Sequence, residues 1–337
     1  MAKLRLSFIS AFNERVDPLM KGTIQAEGIE IVPTYSHPSE TFWRQLKFQE
    51  FEVGEMSMSS YLIARERGFD IIALPVFPSR RLFHSELSYH TDSGIKKPED
   101  LAGKRLGVGE YQQTAALWLR GILEHDFGVS QYKVHWYMER TEELSHGGAT
   151  GFTPPQGISF QRIPPDKSMA SMLVNGELDA AAINSPWKNQ PNVIGRSHKI
   201  PGAEGDWSKV KLLFDDRMAE GKRFFDKWGF LPVNHAYTIR GDIYKKYPWV
   251  AFNLYSGFVK AKAHFNAKLV DSIPSALFFG KEYLAMTQAM FGNDPYPYGV
   301  KANRKMIETL IDFSYEQGLT TKKMKVEELF AVSTLEL

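Results

Sequence analysis

Two histidines are the side chains of this sequence best placed to move a proton at neutral pH. His84 ends the stretch FPSRRLFH at 77–84, and His235 precedes a predicted strand. Imidazole titrates near neutral pH and can act as a general acid or base. The alternative interpretations are a surface residue for His84 and a residue packed at a hinge for His235. In the Gly/Pro-rich stretch at 145–157 we expect His146 to be a mobile surface residue rather than part of a closing lid.

Arg80 and Arg81 stand just before the first of these histidines. The planar guanidinium fork suits bidentate recognition of a carboxylate. Both arginines follow the apolar run at 70–76, which predicts a buried strand, so they should lie at its carboxyl end. Open parallel sheets bind ligands at that edge. Adjacent arginines commonly face solvent, but this position favours a binding role.

Two loops are predicted to present a helix N-terminus to a ligand. GEMSMSS at 54–60 and GEYQQT at 109–114 each follow a predicted strand and precede a predicted helix. Free backbone N–H groups and the helix dipole at such an end favour a carboxylate or phosphate. Ordinary capping by a serine is the alternative interpretation. Gly107 and Gly109 do not complete a dinucleotide fingerprint, because Gln112 stands where a third glycine is needed.

The predicted elements bring such strand ends together. Strands are predicted at 3–9, 29–34, 51–54, 70–76, 85–90, 104–108, 132–137, 158–163, 179–183 and 236–240. Helices are predicted at 16–26, 39–47, 57–67, 98–101, 114–124, 167–175, 217–227, 242–247, 248–267, 272–290, 303–317 and 324–330. The alternation of strands and helices predicts an α/β protein with mainly parallel sheets flanked by helices.

The order of these elements predicts two lobes. Lobe I comprises 1–88 and 236–337, and lobe II comprises 89–235. We expect the chain to cross between the lobes at the short strands 85–90 and 236–240. A cleft between two lobes is a favoured ligand site.

Composition excludes several classes of protein. The 337 residues include 41 Lys plus Arg and 39 Asp plus Glu, a formal net charge of +2, which argues against a dedicated nucleic-acid binder. The absence of cysteine excludes disulfides, thiolate nucleophiles, iron–sulfur clusters and zinc–thiolate sites. The N-terminal apolar run is too interrupted for a signal peptide, and no window approaches the ~18 apolar residues of a membrane helix. We therefore expect a cytoplasmic protein that does not bind a membrane.

The histidines and acidic residues show no spacing typical of a metal site. There is no H-x-H, no H-E-x-x-H and no acidic calcium loop. We expect no metal and no cofactor, although a weakly held divalent cation stays open.

Several stretches resemble the 4,5-dihydroxyphthalate decarboxylase family, which has a type 2 periplasmic binding protein fold. They are GTIQAEGIEI (22–31), FEVGEMSMSSYL (51–62), LPVFPSRRLFH (74–84), DLAGKRLGVGEYQQTAALWLRG (100–121), NGELDAA (175–181) and DPYPYGVKANRKMIETLIDFSYEQGL (294–319). The resemblance spans nearly the whole chain, and 74–84 and 294–319 are its most specific parts. It implies a cytoplasmic enzyme that uses the cleft of a binding protein for aromatic decarboxylation.

The resemblance implies conversion of 4,5-dihydroxyphthalate to 3,4-dihydroxybenzoate without a cofactor. A hydroxyl para to the leaving carboxylate can push electrons into the ring, so that the ipso carbon is protonated and carbon dioxide leaves. We expect His84 or His235 to deliver the proton, and Glu110 or Glu55 to deprotonate or orient the phenol.

Ten residues of the predicted cleft loops are expected to hold the aromatic carboxylate. They are Arg15, Ser59, Ser60, Arg80, Arg81, Gln112, Gln113, Thr114, Asn184 and Asn234. The loops at 12–15 and 184–186 depart from the family pattern, so other phthalate-like or hydroxybenzoate-like acids stay open. The alternative function is non-catalytic binding of a small carboxylate, in a solute-binding or sensing domain. We also expect a homo-oligomer.

Overall fold

The computed structural model describes residues 3–182 and 205–337, and two mixed β-sheets form its centre. The strands are β1 (Leu4–Ser10), β2 (Ile29–Tyr35), β3 (Val53–Ser57), β4 (Ile71–Leu74), β5 (Ser88–His90), β6 (Arg105–Val108), β7 (His135–Met138), β8 (Phe160–Arg162), β9 (Ala180–Ala181), β10 (Val210–Leu212) and β11 (His235–Arg240). The first sheet has the order β2-β1-β3-β11-β4 and the second has the order β10-β5-β9-β6-β7-β8.

The helices pack around these sheets. They are α1 (Asp17–Met20), α2 (Pro38–Phe48), α3 (Met58–Glu66), α4 (Thr114–Phe127), α5 (His146–Thr150), α6 (Met169–Val174), α7 (Arg217–Trp228), α8 (Gly241–Lys246), α9 (Trp249–Asn266), α10 (Gly280–Phe291) and α11 (Arg304–Glu316). Among the residues described, no helix has the length and apolarity needed to cross a membrane.

Local sequence signals set both ends of α7. The carboxylate of Asp216 accepts hydrogen bonds from the N–H groups of Met218 and Ala219, which starts α7. The same helix ends at Gly229, whose φ of 76° is a backbone conformation that glycine adopts without strain.

Two strands, one in each sheet, run against the parallel pattern that the sequence predicts. In the first sheet β11 runs antiparallel to both of its neighbours, β3 and β4. In the second sheet β5 runs antiparallel to β9 and β10, whereas β6 to β9 are parallel. The antiparallel direction of β11 brings its first residue to the carboxyl end of β3, which is the ligand-binding edge of the sheet.

Two extended segments connect the sheets and pair with each other. Arg80 forms a β-bridge with Val233, and the N–H of Asn234 donates to Ser79 O at 2.9 Å. The predicted crossing strands at 85–90 and 236–240 instead lie within the sheets, as β5 and β11. One apolar core runs from the first sheet to the second, and it includes Met56, Leu106, Trp118 and Phe313.

Several predicted elements differ from the structure. The helix predicted at 324–330 is only a 3₁₀ turn at Val326–Glu328. The helix predicted at 16–26 is the short α1, because Gly22 adopts a φ of 75° soon after it. The helix predicted at 272–290 begins only at Gly280. The expected mobile loop at 145–157 contains α5, in which His146 is buried, so the expectation of a surface histidine was wrong.

Candidate active site

Four polar side chains lie on one face of the first sheet, at the end nearest the second sheet. His235 pairs with Ser57 and Tyr237 pairs with Glu55 in the β11–β3 register. Side chains alternate between the two faces of a strand, and paired residues share a face. The register therefore places all four together, although β3 and β11 are far apart in sequence.

His235 and Glu55 form a buried side-chain hydrogen bond on this face. The N–H at His235 Nδ1 donates to Glu55 Oε1 at 2.6 Å. The second carboxylate oxygen accepts the N–H of Ala11 at 2.9 Å and the hydroxyl of Ser10 at 3.2 Å. Burial disfavours the charged carboxylate, but His235 and these two donors outweigh burial and lower the pKa of Glu55.

The contact with Glu55 fixes the orientation of the His235 ring. Because Nδ1 binds the carboxylate, Nε2 is the nitrogen left to face a substrate. Phe42 packs edge-on against the imidazole, with ring centroids 4.6 Å apart. A histidine held in this way can donate a proton from Nε2 to a bound substrate.

The N-termini of α3 and α4 meet beside this pair. The Oγ of Ser57 lies 2.8 Å from Thr114 Oγ1, and the N–H of Ser59 donates to the same hydroxyl at 3.0 Å. In the described part of the chain neither helix has a side-chain cap, so the interpretation of Ser57 as an ordinary cap was wrong. Two helix dipoles direct their positive ends to one place, which favours an anion there.

The other polar residues predicted for these loops lie in the same region. Gln112 Nε2 donates to Ser60 Oγ at 3.3 Å, and Gln112 Oε1 is buried without a partner among the described residues. Gln113 is the residue immediately before α4. Asn234 adjoins His235, and its carbonyl accepts the N–H of Met58 at 3.1 Å.

Glu110 holds a loop of the second sheet in place rather than facing solvent. Its carboxylate pairs with Arg140 and accepts the hydroxyl of Ser145 at 2.6 Å and the N–H of Gly147 at 2.7 Å. Burial opposes its ionisation, but Arg140 and the other donors outweigh it and lower the pKa of Glu110. With both oxygens occupied, Glu110 is placed to position α5.

The α5 segment covers the region next to His235. His146 Nε2 donates to the carbonyl of Ser39 at 3.0 Å, and Trp43 Nε1 donates to the carbonyl of Glu143 at 3.1 Å. The ring of Phe42 lies between His146 and His235, 5.7 Å from the former. Phe42 of α2 therefore contacts the His235 ring directly, and α5 packs on the other side of Phe42.

His84 belongs to a different cluster. Its Nε2 lies 2.6 Å from Glu220 Oε1, and its ring contacts Phe214 and Phe224. Glu220 is in turn bound by Arg223. The structure therefore buries His84 against α7, and the expectation of a possible surface histidine was wrong.

The predicted arginines bind oxygens of the protein itself. Arg80 donates to the carbonyls of Leu231 and Pro297 at 2.8 and 3.0 Å and pairs with Asn303, and burial lowers its pKa to about 10. Arg81 makes a two-pronged pair with Glu86.

Arg15 donates to the carbonyl of Pro78 at 2.8 Å and lies over the ring of Tyr296, 3.8 Å from its centroid. For Arg15, Arg80 and Arg81 a role in substrate binding stays a prediction. Asn184 lies outside the described residues.

Some residues of this site had no recognisable signal in the sequence. Phe42 and Arg140 join it from a helix and a strand end that the sequence does not mark as functional. Glu55 carries a weak signal, as an acidic residue within the otherwise uncharged strand β3. Within the described ranges, no group of three or more His, Cys, Asp or Glu side chains could hold a metal ion.

Comparison with known proteins finds a relative that aligns over the whole chain and a second that aligns over part of it. The 4,5-dihydroxyphthalate decarboxylase of Comamonas testosteroni is 29% identical over 339 aligned positions, which cover 100% of this chain and 99% of that protein. The enzyme of the same name from Pseudomonas putida is 34% identical over 215 positions, which cover 62% of this chain and 83% of that protein. A family model described as the periplasmic substrate-binding protein of a phosphonate ABC transporter matches residues 10–192.

Solved structures show the same fold. The periplasmic aliphatic sulphonate binding protein of Escherichia coli superimposes with a TM-score of 0.52 at 15% identity, covering 98% of this chain and 92% of that one. A Candida albicans protein described as having the periplasmic binding protein fold gives 0.50 at 11% identity, covering 96% and 92%. The predicted two-lobed α/β fold is confirmed.

Proposed function

This chain belongs to the 4,5-dihydroxyphthalate decarboxylase family of carbon–carbon lyases, and from that premise we propose that it converts 4,5-dihydroxyphthalate into 3,4-dihydroxybenzoate and carbon dioxide. The observation that carries the proposal is the buried His235–Glu55 contact of 2.6 Å beside two uncapped helix N-termini. This reaction requires a proton donor and a site that binds the second carboxylate of the substrate.

His235 is the proton donor in this mechanism. The protonated imidazole gives its Nε2 proton to the ring carbon that bears the leaving carboxylate, while the para hydroxyl oxygen pushes electrons into the ring. The carbon–carbon bond then breaks, and its electron pair restores the aromatic ring as carbon dioxide leaves. Positioned proton transfer of this kind contributes about 10²–10⁴-fold to the rate. Solvent reprotonates His235, and Glu55 holds the imidazole in place through its contact with Nδ1.

The second carboxylate of the substrate is held at the start of α3 and α4. The hydroxyls of Ser57 and Thr114 and the helix N–H groups offer donors there, whereas the hydroxyl of Ser59 donates to the carbonyl of Gln112. Ser57 is the direct cross-strand neighbour of His235, so an anion bound at this point lies next to the proton donor. In this proposal one carboxylate anchors the ring and the other leaves, so the substrate has to be a dicarboxylate.

The α5 segment and Phe42 exclude water from the departing carboxylate. Phe42 forms an apolar wall against His235, and His146 ties α5 to the carbonyl of Ser39. A carboxylate leaves more readily as neutral carbon dioxide when it is not solvated. The ring itself accepts the electrons, so we propose that neither an organic cofactor nor a metal ion takes part. We also propose that the enzyme acts in the cytoplasm.

The test is an assay of the purified protein with 4,5-dihydroxyphthalate and with unsubstituted phthalate, each with and without EDTA. We expect carbon dioxide and 3,4-dihydroxybenzoate from the first acid only, because phthalate has no hydroxyl to push electrons. EDTA should leave the rate unchanged. Carbon dioxide from phthalate would contradict the mechanism, and a loss of activity with EDTA would contradict the absence of a metal.

Non-catalytic binding of a small carboxylate is the competing function, and the likeness to sulphonate-binding proteins supports the fold it requires. Thermal stabilisation by 4,5-dihydroxyphthalate without release of carbon dioxide would favour it. Turnover that is lost in His235→Gln and kept in His135→Gln would favour the decarboxylase, because His135 is exposed and outside the site.

A further inference from the structure

A projecting apolar segment follows α9, and we call residues 268–291 the arm. Its large apolar side chains face outward: Leu277 is 57% exposed, Phe278 88%, Phe279 59% and Tyr283 52%. Helix α10 forms the second half of the arm. Among the described residues of this helix, only Gly280 is buried. Aromatic side chains exposed together to this degree are unusual on a monomeric protein.

The arm is an ordered element rather than a loose connection. Gly280 lies so close to Ile273 that a Cβ atom added at residue 280 would be only 2.3 Å from the isoleucine side chain. The rings of Phe278 and Phe279 contact each other at 5.2 Å between centroids. At the end of α10, Phe291 packs against Phe225 of α7, also at 5.2 Å. The outward apolar face is therefore held in a defined shape.

We propose that this face is a contact surface between two copies of the chain. The exposed fractions of Leu277, Phe278, Phe279 and Tyr283 amount to roughly 500 Å² of apolar surface per copy, at about 200 Å² for a fully exposed side chain of this size. Covering both arms removes about 1,000 Å² from water if the arms pack on each other. It removes about 2,000 Å² if each arm packs elsewhere on the partner. A specific interface requires about 1,000 Å² or more.

The charges of the arm favour a second copy over a lipid surface. Its charged residues are Lys268, Asp271, Lys281 and Glu282, two of each sign. Two such arms approach without net repulsion, and a two-fold axis can pair unlike charges. Helices that bind anionic membranes carry an excess of lysine and arginine beside the apolar face, which this arm lacks.

The first test is the solution mass by light scattering at micromolar concentration. We expect the unaltered protein at twice the chain mass of 38.4 kDa, or a higher even multiple, and Phe278→Asp at half the mass of the unaltered protein or less. Because Phe278 is almost fully exposed, the substitution should not disturb the fold. Phe48→Asp is the matched control, since Phe48 is also exposed but lies at the end of α2.

The absence of cysteine allows a second test that does not depend on losing an interaction. Lys281→Cys introduces a single thiol on the arm, and we expect a short bis-maleimide to cross-link two chains. Lys305→Cys on α11 is exposed as well and should not cross-link. A monomeric unaltered protein, an oligomer unaffected by Phe278→Asp, or equal cross-linking of both variants would each overturn the proposal. A monomer that sediments with anionic vesicles would assign the arm to a membrane instead.

Discussion

His146 should make the stability of this protein sensitive to mild acid. Burial and the nearby Arg140 lower its pKa from 6.5 to about 3, although Glu110, 3.9 Å away, favours protonation. The folded protein therefore keeps His146 neutral over a pH range in which the unfolded chain binds a proton there. Stability linked to this residue is full above the unfolded pKa and falls as the pH drops from about 6.5 toward 3.

The size of the effect follows from these two pKa values. At pH 5 the unfolded chain gains about 2 kcal/mol from protonation of His146, whereas at pH 7.5 it gains almost nothing. Glu55 and Glu110 have lowered pKa values, so their contributions are lost only at lower pH, below the ordinary range of a glutamate. Between pH 7.5 and 5 the contribution of His146 is therefore separable from theirs.

The assay is urea unfolding at pH 7.5 and pH 5 for the unaltered protein and His146→Gln. Glutamine keeps an N–H donor for the carbonyl of Ser39 but does not titrate. We expect the loss of unfolding free energy between the two pH values to be about 2 kcal/mol smaller in the variant. His135→Gln, at an exposed site, should behave like the unaltered protein. An identical pH dependence in His146→Gln would refute the reasoning.

Three further predictions test the site and its scaffold. His235→Gln should lower kcat by about 100-fold or more with little change in ligand affinity, and Glu55→Gln should lower kcat by about 100-fold, because each removes part of the proton-donating pair. Steady-state kinetics measure kcat, and a thermal-shift titration measures ligand affinity. An unchanged kcat in either variant would exclude that residue from proton donation. Thr114→Val should raise KM about fivefold at nearly constant kcat, since one donor to the anion is lost; a fall in kcat alone would contradict an anchoring role. Gly121→Ala should lower the free energy of unfolding, measured in urea, by about 1–3 kcal/mol, because the new Cβ would lie 2.1 Å from the ring of Phe313. This loss is expected although alanine favours helices more than glycine does. A more stable variant would show that α4 and α11 can move apart at little cost.

Much of the fold was predictable because its signals are local. The apolar run DIIALPV predicts a buried strand, and β4 lies within it. Asp216 and Gly229 bound α7 through hydrogen bonds and backbone angles that involve only nearby residues. The clustering of Ser59, Gln112 and Thr114 was also predictable. Each helix start follows a strand of a different sheet, and the carboxyl ends of both strands were expected to face the cleft between the two lobes.

The predicted elements were less accurate where tertiary packing, rather than the local sequence pattern, decides the structure. An apolar pattern at 272–290 predicts a helix, but its first residues instead form the non-helical half of the arm. His146 lies among glycines that indicate a loop, yet Glu110 and Ser39 bury it through contacts distant in sequence. Burial depends on which elements come to lie on top of a residue, and a local pattern does not contain that information.

By itself the sequence determined the class of fold, the absence of thiol chemistry and the resemblance to a decarboxylase family. It left the choice between His84 and His235 open, since both stand next to predicted strand ends. The tertiary structure places them in different surroundings: His84 binds Glu220 of α7, whereas His235 binds Glu55, 180 residues away, beside the two helix N-termini. The physical reason is the antiparallel insertion of β11 between β3 and β4, because strand order and direction decide which distant side chains share a face.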